Sequence, residues 1–288
     1  MNAPDLDDAT AFIAANARIL DQRRFERLFQ DGGPTEVRDA VAAYRNADGG
    51  FGHALEPDLR DPASQPAATE MAFRMLDETD SWDDELVRAG CDWLDAVAPA
   101  EGGAAMVLPS VSRWQHAPWW VPAPGPSASL IQTGMIAGTL HARGVQHPWL
   151  ERATDTMWKR LADVAELGAY DMFGILRFLQ HVPDRERAVE AFDRIGPVIL
   201  SQNLVDLDPE APGEVHSPLD FAPHPDSIAR ALFDQSVMEA HLDHLARGQR
   251  EDGGWMFNWP AWSPAAERDW RGFLTVDSLV LLRANGRV

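Results

Sequence analysis

The phrase Gln249-Arg250-Glu251-Asp252-Gly253-Gly254-Trp255 follows a helical stretch and precedes a turn. A weaker copy, Arg45-Asn46-Ala47-Asp48-Gly49-Gly50-Phe51, stands far upstream. Paired glycines after a helix permit the positive φ that turns a chain back on itself. The leading Gln of the stronger copy can satisfy orphan backbone groups at a neighbouring helix end, with the aromatic packed over it. A chain that twice turns back after a helix is expected to build antiparallel helix pairs.

The rest of the chain agrees, with helix following helix and little strand alternation. Helical spacing of apolar residues marks 8–29, 34–44, 65–78, 83–97, 127–143, 149–167, 170–181, 184–202, 226–233, 235–249 and 275–285. The segments 65–78, 127–143, 170–180 and 275–285 are apolar or small on most sides, as buried helices are. Those at 83–97, 184–202 and 235–249 carry one charged face, as outer helices do. Alternating inner and outer helices predict an all-α chain, an α/α toroid of five to six helix pairs around a central cavity. No low-complexity linker divides it, so one domain over 1–288 is expected.

The Gly-Gly-aromatic phrases resemble the QW motifs of squalene and terpenoid cyclases and the related repeats of protein prenyltransferase β-subunits. The resemblance implies the toroid more firmly than it implies a reaction, because the diagnostic catalytic motifs of these families are missing. Asp5-Leu6-Asp7-Asp8 matches the Asp-x-Asp-Asp of class II cyclases, but at the N-terminus, where it reads as a helix-capping run. Asp80-Ser81-Trp82-Asp83-Asp84 departs from the class I metal motif. Cys91 lacks the Asp-x-Cys context of prenyltransferase zinc, so no metal ligands are expected.

A net charge of −20, with Lys159 the single lysine, argues against nucleic acid and against anionic membranes. One cysteine permits no intrachain disulfide, no apolar run is long enough to span a bilayer, and the first residues do not read as a signal peptide. The expectation is a cytoplasmic protein of unassigned oligomeric state.

Chemistry is expected in the long loops, 52–66, 102–126, 206–225 and 255–272. The first places His53, Glu56 and Asp58 in one short stretch, a set able to supply a general acid and base if burial separates their pKa values. Glu70, Asp171 and Asp277 fall near the starts of inner helices, two of them in an acid-to-arginine repeat (Asp171 to Arg177, Asp277 to Arg283). Ring symmetry would bring all three to one mouth of the cavity; an acid in a first helical turn also simply offsets the macrodipole. Trp114, Trp119, Trp120, Phe257 and Trp259 are the candidate ligand-facing aromatics, able to stabilise a carbocation or to stack on a sugar.

Three functions follow. The first is a cyclase-type enzyme acting on a small hydrophobic, isoprenoid-like substrate, with the acid among Glu56, Asp58 and Glu70 and with His53 orienting it or taking the last proton. It needs no cofactor, and Mg²⁺ enters only with a diphosphate substrate. The second is a carbohydrate-active hydrolase, lyase or epimerase with two carboxylates across the cavity, such as Glu56 with Asp277 or Asp171. The third is a non-catalytic toroid that binds a small molecule or a peptide.

Overall fold

The computed structural model describes residues 4–163 and 166–288. The leader reading at Met1–Ala3 and residues 164–165 of the expected 149–167 helix lie outside them. Among the described residues there is no strand, only three isolated bridges, and the fold is all-α. No described helix is long and apolar enough to cross a membrane. The helices are α1 (Leu6–Asn16), α2 (Ile19–Phe29), α3 (Pro34–Ala42), α4 (Pro66–Glu78), α5 (Asp84–Val97), α6 (Leu130–Ala142), α7 (Pro148–Asp163), α8 (Ala169–His181), α9 (Arg185–Ile195), α10 (Val198–Ser201), α11 (Pro218–Phe221), α12 (Gln235–Arg247) and α13 (Pro264–Ala284). The chain forms two compact units, one of residues 1–33 with 194–288, the other of residues 34–193.

In the 34–193 unit, α4, α6 and α8 pack side by side, with α3, α5 and α7 against them. The burial of these helices follows the sequence pattern here. Nine side chains of α4 are buried, whereas α5 buries one stripe from Leu86 to Leu94. The closest approach joins α6 to α8, where Gly134 and Gly174 let the backbones touch. A Cβ on either would strike main-chain atoms of the other helix. At the far end of this row Asp77 accepts from Arg143 and Arg177, both at 2.6 Å, tying α4, α6 and α8 together.

In the other unit α13 packs against α1, α2 and α12. Here the helix limits differ from expectation. The 8–29 segment breaks at Ala17, which is extended, and 184–202 breaks at Gly196-Pro197. The 226–233 segment yields only a 3₁₀ turn, Arg230–Leu232, and α11 was not expected at all. The last helix starts at Pro264, well before Thr275: Ser263 caps Ala266 N at 3.1 Å and proline fills the first helical position. The Ser-Pro signal was in the sequence, but the charged residues of the first two turns hid the apolar stripe.

The Gly-Gly-aromatic phrases form one turn built twice, and a third Gly-Gly repeats part of it. In the C-terminal copy, Gly253 N donates to Arg250 O, Arg250 N to Gly254 O, Gly254 N to Asp252 Oδ1 and Trp255 N to Thr275 Oγ1 (3.0 Å). The upstream copy repeats this with Gly49, Asn46, Gly50, Asp48, Phe51 and Thr69, the last bond at 3.3 Å. The partial copy, Gly102-Gly103-Ala104, sends Ala104 N to Thr133 Oγ1 at 3.0 Å. All three threonines are fully or almost fully buried, and each lies nine residues before the end of its helix (Thr69 to Glu78, Thr133 to Ala142, Thr275 to Ala284). In that frame the looser acidic copy at Glu70 does not superpose on Asp277. Glu70 follows its threonine by one residue and Asp277 by two, a difference of roughly 100° around a helix.

Candidate functional site

The 52–66 loop starts from strained backbone: His53 and Ala54 both have positive φ, 56° and 61°. His53 is exposed and its Nε2 pairs with Asn46 Oδ1 at 2.9 Å, so it faces the turn. Glu56 and Asp58 are buried, 5% and 4% exposed. The Asp58 amide donates to Glu56 Oε2 at 2.8 Å, which closes the loop on itself. The 102–126 loop then docks on this one. Ala117 N donates to Asp58 O, and Arg60 N donates to Gln115 O, each at 2.9 Å.

Next to it lies a third buried acid, one the sequence reading did not single out. Asp61, 1% exposed, accepts from Ser110 Oγ (2.7 Å) and Gln65 Nε2 (2.8 Å), while Gln65 Oε1 accepts from Leu108 N (2.8 Å). This net staples the two loops over the start of α4. Glu70, one turn further along α4, pairs with Arg74 at 3.4 Å. Trp120 is buried, with an indole N–H that meets no acceptor among the described residues, whereas Trp114 and Trp119 are about half exposed. Asp171 accepts from Gly168 N at 3.1 Å and so caps α8. Glu56 and Asp58 therefore lie buried in one of two joined loops, Trp120 is buried in the other, and Trp114 and Trp119 of that second loop stand half exposed.

The remaining candidates belong to the other unit. Phe257 and Trp259 meet at a tilt with ring centroids 4.5 Å apart, and the row continues to Trp270 and Phe273 at 5.5 Å steps. Trp270, Phe273 and Asp277 share one face of α13 by their spacing. Arg24 lies over Phe273 at 4.5 Å and pairs with Asp277 at 2.6 Å. Its other partner is Asp21 at 3.0 Å, and neither Arg24 nor Asp21 is exposed. Asp277 is thus paired with a buried arginine and half-buried itself. Asp21 and Arg24 escaped notice because they sit in α2, a strongly amphipathic segment in which charged residues are ordinarily solvent-facing.

Asp5, at the start of the Asp-x-Asp-Asp match, caps α1 by accepting from Asp7 N and Asp8 N. Gln249 clamps the backbone of the same residue, accepting from Asp5 N at 2.7 Å and donating to Asp5 O at 2.8 Å. The helix-capping reading of that run therefore accounts for it. Cys91 is buried, and burial pushes its thiol up to about 12. Among the described residues no three His, Cys, Asp or Glu side chains gather as a ligand set for a metal.

No protein-family model matches the chain, and no curated protein matches it. Among solved structures it is similar to a protein from Actinoplanes, with a TM-score of 0.55 and 16% identity over 96% of this chain and 89% of that one. At that identity the likeness shows a shared fold and nothing of activity.

Proposed function

We propose that this protein is an enzyme of the terpenoid cyclase type, acting on an isoprenoid or similarly apolar substrate by acid-initiated carbocation chemistry, with its helix pairs closed as an α/α toroid. The observation that carries the reading is the burial of Glu56 and Asp58 beneath a second loop that is hydrogen bonded to their own. A carboxyl group withdrawn from water favours its protonated form, and a protonated carboxylic acid is the donor needed to protonate an alkene. Glu56 is assigned the donor role, with Asp58 and Glu70 as its neighbours in the loop and on α4, and His53 at the rim receives the final proton. Trp120 beneath the same loops offers a π face worth about 0.5–2 kcal/mol to a developing cation. Trp114 and Trp119 would contact substrate on entry. No residue set is assigned to Mg²⁺, which a diphosphate substrate would bring with it.

The row Phe257–Trp259–Trp270–Phe273, ending at the Arg24–Asp277 pair, favours a second reading, a carbohydrate-active enzyme. Aromatic faces beside paired charges suit a sugar ring and its hydroxyl groups.

A product screen separates the two. The purified chain is incubated with neutral and diphosphorylated oligoprenyl substrates, with and without Mg²⁺, and extracts are analysed by gas chromatography and mass spectrometry. A new hydrocarbon or alcohol without metal is expected, reduced at least about 10²-fold in Glu56→Gln. Full activity in both Glu56→Gln and Glu70→Gln would end the acid assignment. Absence of any isoprenoid product, with turnover of oligosaccharides, would replace the first reading by the second.

A further inference from the structure

Neither proposed function uses Met106, which lies where the 102–126 loop crosses the start of α6. The chain before it is laced to that start. Ala104 N donates to Thr133 Oγ1, Ser129 N donates to Ala104 O at 2.8 Å, and Ala105 bridges Ala128. The chain after it is held elsewhere, by Leu108 N on Gln65 Oε1 at the start of α4. Met106 therefore occupies the span between two anchors, and it is 38% exposed. Among the other described methionines, Met71, Met75, Met157, Met172 and Met238 are buried, Met135 is half-buried and Met256 is exposed.

Two donors are aimed at the Met106 sulfur. Ser129 caps α6, its Oγ accepting from Gln132 N at 3.3 Å, and the same hydroxyl donates to Met106 Sδ at 3.6 Å. Gln132, in the first turn of that helix, sends Nε2 to Sδ at 4.0 Å. Gln132 is only 5% exposed, and its Oε1 meets no partner among the described residues. A thioether is a weak acceptor, so a buried amide aimed at one is poorly compensated for the water it has lost. An oxygen bonded to that sulfur would lie in the gap between it and the donors. It would also stand at a helix N-terminus, where the macrodipole favours negative partial charge. What the donors lack is a strong acceptor, and oxidation of the sulfur supplies one.

We propose that Met106 is a reversible oxidation site whose sulfoxide fastens the 102–126 loop to α6. A peroxide is the oxidant. The sulfur lone pair takes one peroxide oxygen, the O–O bond breaks, and the other oxygen leaves as water with both protons. The sulfur is oxidised and the peroxide reduced, each by one electron pair. The new oxygen then accepts from Ser129 Oγ and Gln132 Nε2. A dithiol reductase restores the thioether, releasing the oxygen as water and closing its own disulfide. The donors do not hasten the attack, since they draw on the lone pair that makes it; they stabilise its product. A sulfoxide in a packed core disrupts it, whereas here it meets donors already in place. The 102–126 loop is also bonded to the 52–66 loop, through Ala117 N on Asp58 O, so its tightening bears on the cover of Glu56 and Asp58. The site needs no turnover and stands without the cyclase assignment.

The test treats the full chain with millimolar hydrogen peroxide at neutral pH, and peptide mass spectrometry measures the oxygen gained at each methionine. Met106 and Met256 should gain oxygen while the five buried methionines do not. Hydrogen exchange then reads the loop at Ala104 and Leu108, the bonded amides on either side of the site. In the oxidised protein their exchange should slow about tenfold, the effect of one net hydrogen bond added to the closed loop. Met106→Leu treated alike keeps Met256 and should show no slowing. Gln132→Leu should still oxidise at Met106 yet lose most of the slowing, with circular dichroism unchanged. Methionine sulfoxide reductases should return the exchange to its starting rate. Met106 as slow to oxidise as the buried methionines would overturn the proposal. So would exchange that is unchanged or faster after oxidation, that slows equally in Met106→Leu or Gln132→Leu, or a Met106 sulfoxide that the reductases leave in place.

Discussion

The two Gly-Gly-aromatic turns, one in each unit, share a hydrogen-bond frame and differ in what is attached to it. In both, the backbone loop closes on itself and the aromatic residue's amide donates to a buried threonine, Thr275 or Thr69. Only the C-terminal turn adds Gln249, which grips Asp5, and an indole N–H, which donates from Trp255 Nε1 to Leu245 O at 2.8 Å. Its counterpart has exposed Arg45 and fully buried Phe51. The lesson is that the Gln and Trp, which make the motif visible, are attachments. The glycines and a threonine outside the motif make the turn.

That ranking can be broken by mutation. The largest effect is expected from the glycines. Gly253 has φ 89° and Gly49 has φ 96°, and a Cβ on either runs into a carbonyl oxygen, of Asp8 or of Ala89. Gly253→Ala and Gly49→Ala should each cost about 3 kcal/mol or more in urea unfolding. A loss under 1 kcal/mol in either would mean the turn is not the fixed part. Threonine comes next. Thr275→Val and Thr69→Val each strand a buried amide, at a cost of about 1–3 kcal/mol. The shorter bond at Thr275 should make its variant the worse of the two, and the reverse order would contradict the shared frame.

The attachments should matter less. Trp255→Phe converts the C-terminal turn toward its partner and removes one of two bonds to Leu245 O, which still accepts from Gly248 N, for about 1 kcal/mol. Gln249→Arg frees Asp5 and should fray α1, seen as faster amide exchange at Ala9 with little change in global stability. If Gln249→Arg proved more damaging than Thr275→Val, the order of importance drawn here would be inverted.

Cys91 offers a pH test confined to the 34–193 unit. Its thiol is an ordinary acid in the unfolded chain, with a reference value of 9.0, and burial raises it to about 12 in the fold. The neutral form is favoured in the native state, so stability is unaffected below pH 9 and falls as pH rises from 9 toward 12. By pH 10 the loss attributable to this group is roughly 1.4 kcal/mol. Cys91→Ala should remove that slope between pH 8.5 and 10. Native protein at pH 8 should also leave Ellman's reagent unreacted, and rapid labelling would show the thiol to be open.

Part of the site was legible and part was not. The cluster of His53, Glu56 and Asp58 could be read because a loop that concentrates acids after a Gly-Gly turn is unusual composition at one place. That Glu56 and Asp58 are buried while His53 is exposed depends on the 102–126 loop, which arrives from far along the chain. Asp277 looked like a helix-start acid and is an ion-pair partner, because Arg24 reaches it from α2. His241, buried on α12 with its Nε2 unpartnered among the described residues, gave no signal, since a histidine on an amphipathic helix has the same appearance with or without a partner.

The sequence by itself determined the all-α class, the burial pattern of α4, α5, α6 and α8, and two of the three Gly-Gly turns. Each of these is encoded locally, in 3.6-residue periodicity and in glycines that accept positive φ without steric cost. Tertiary structure alone decided the rest. The third turn, at Gly102-Gly103-Ala104, has no aromatic to mark it. The threonine that anchors each turn lies at a different distance down the chain, because the intervening loops differ in length. Burial of a carboxyl group, or the lack of a partner for an imidazole, is a property of neighbours that are remote in sequence, and no local pattern carries it.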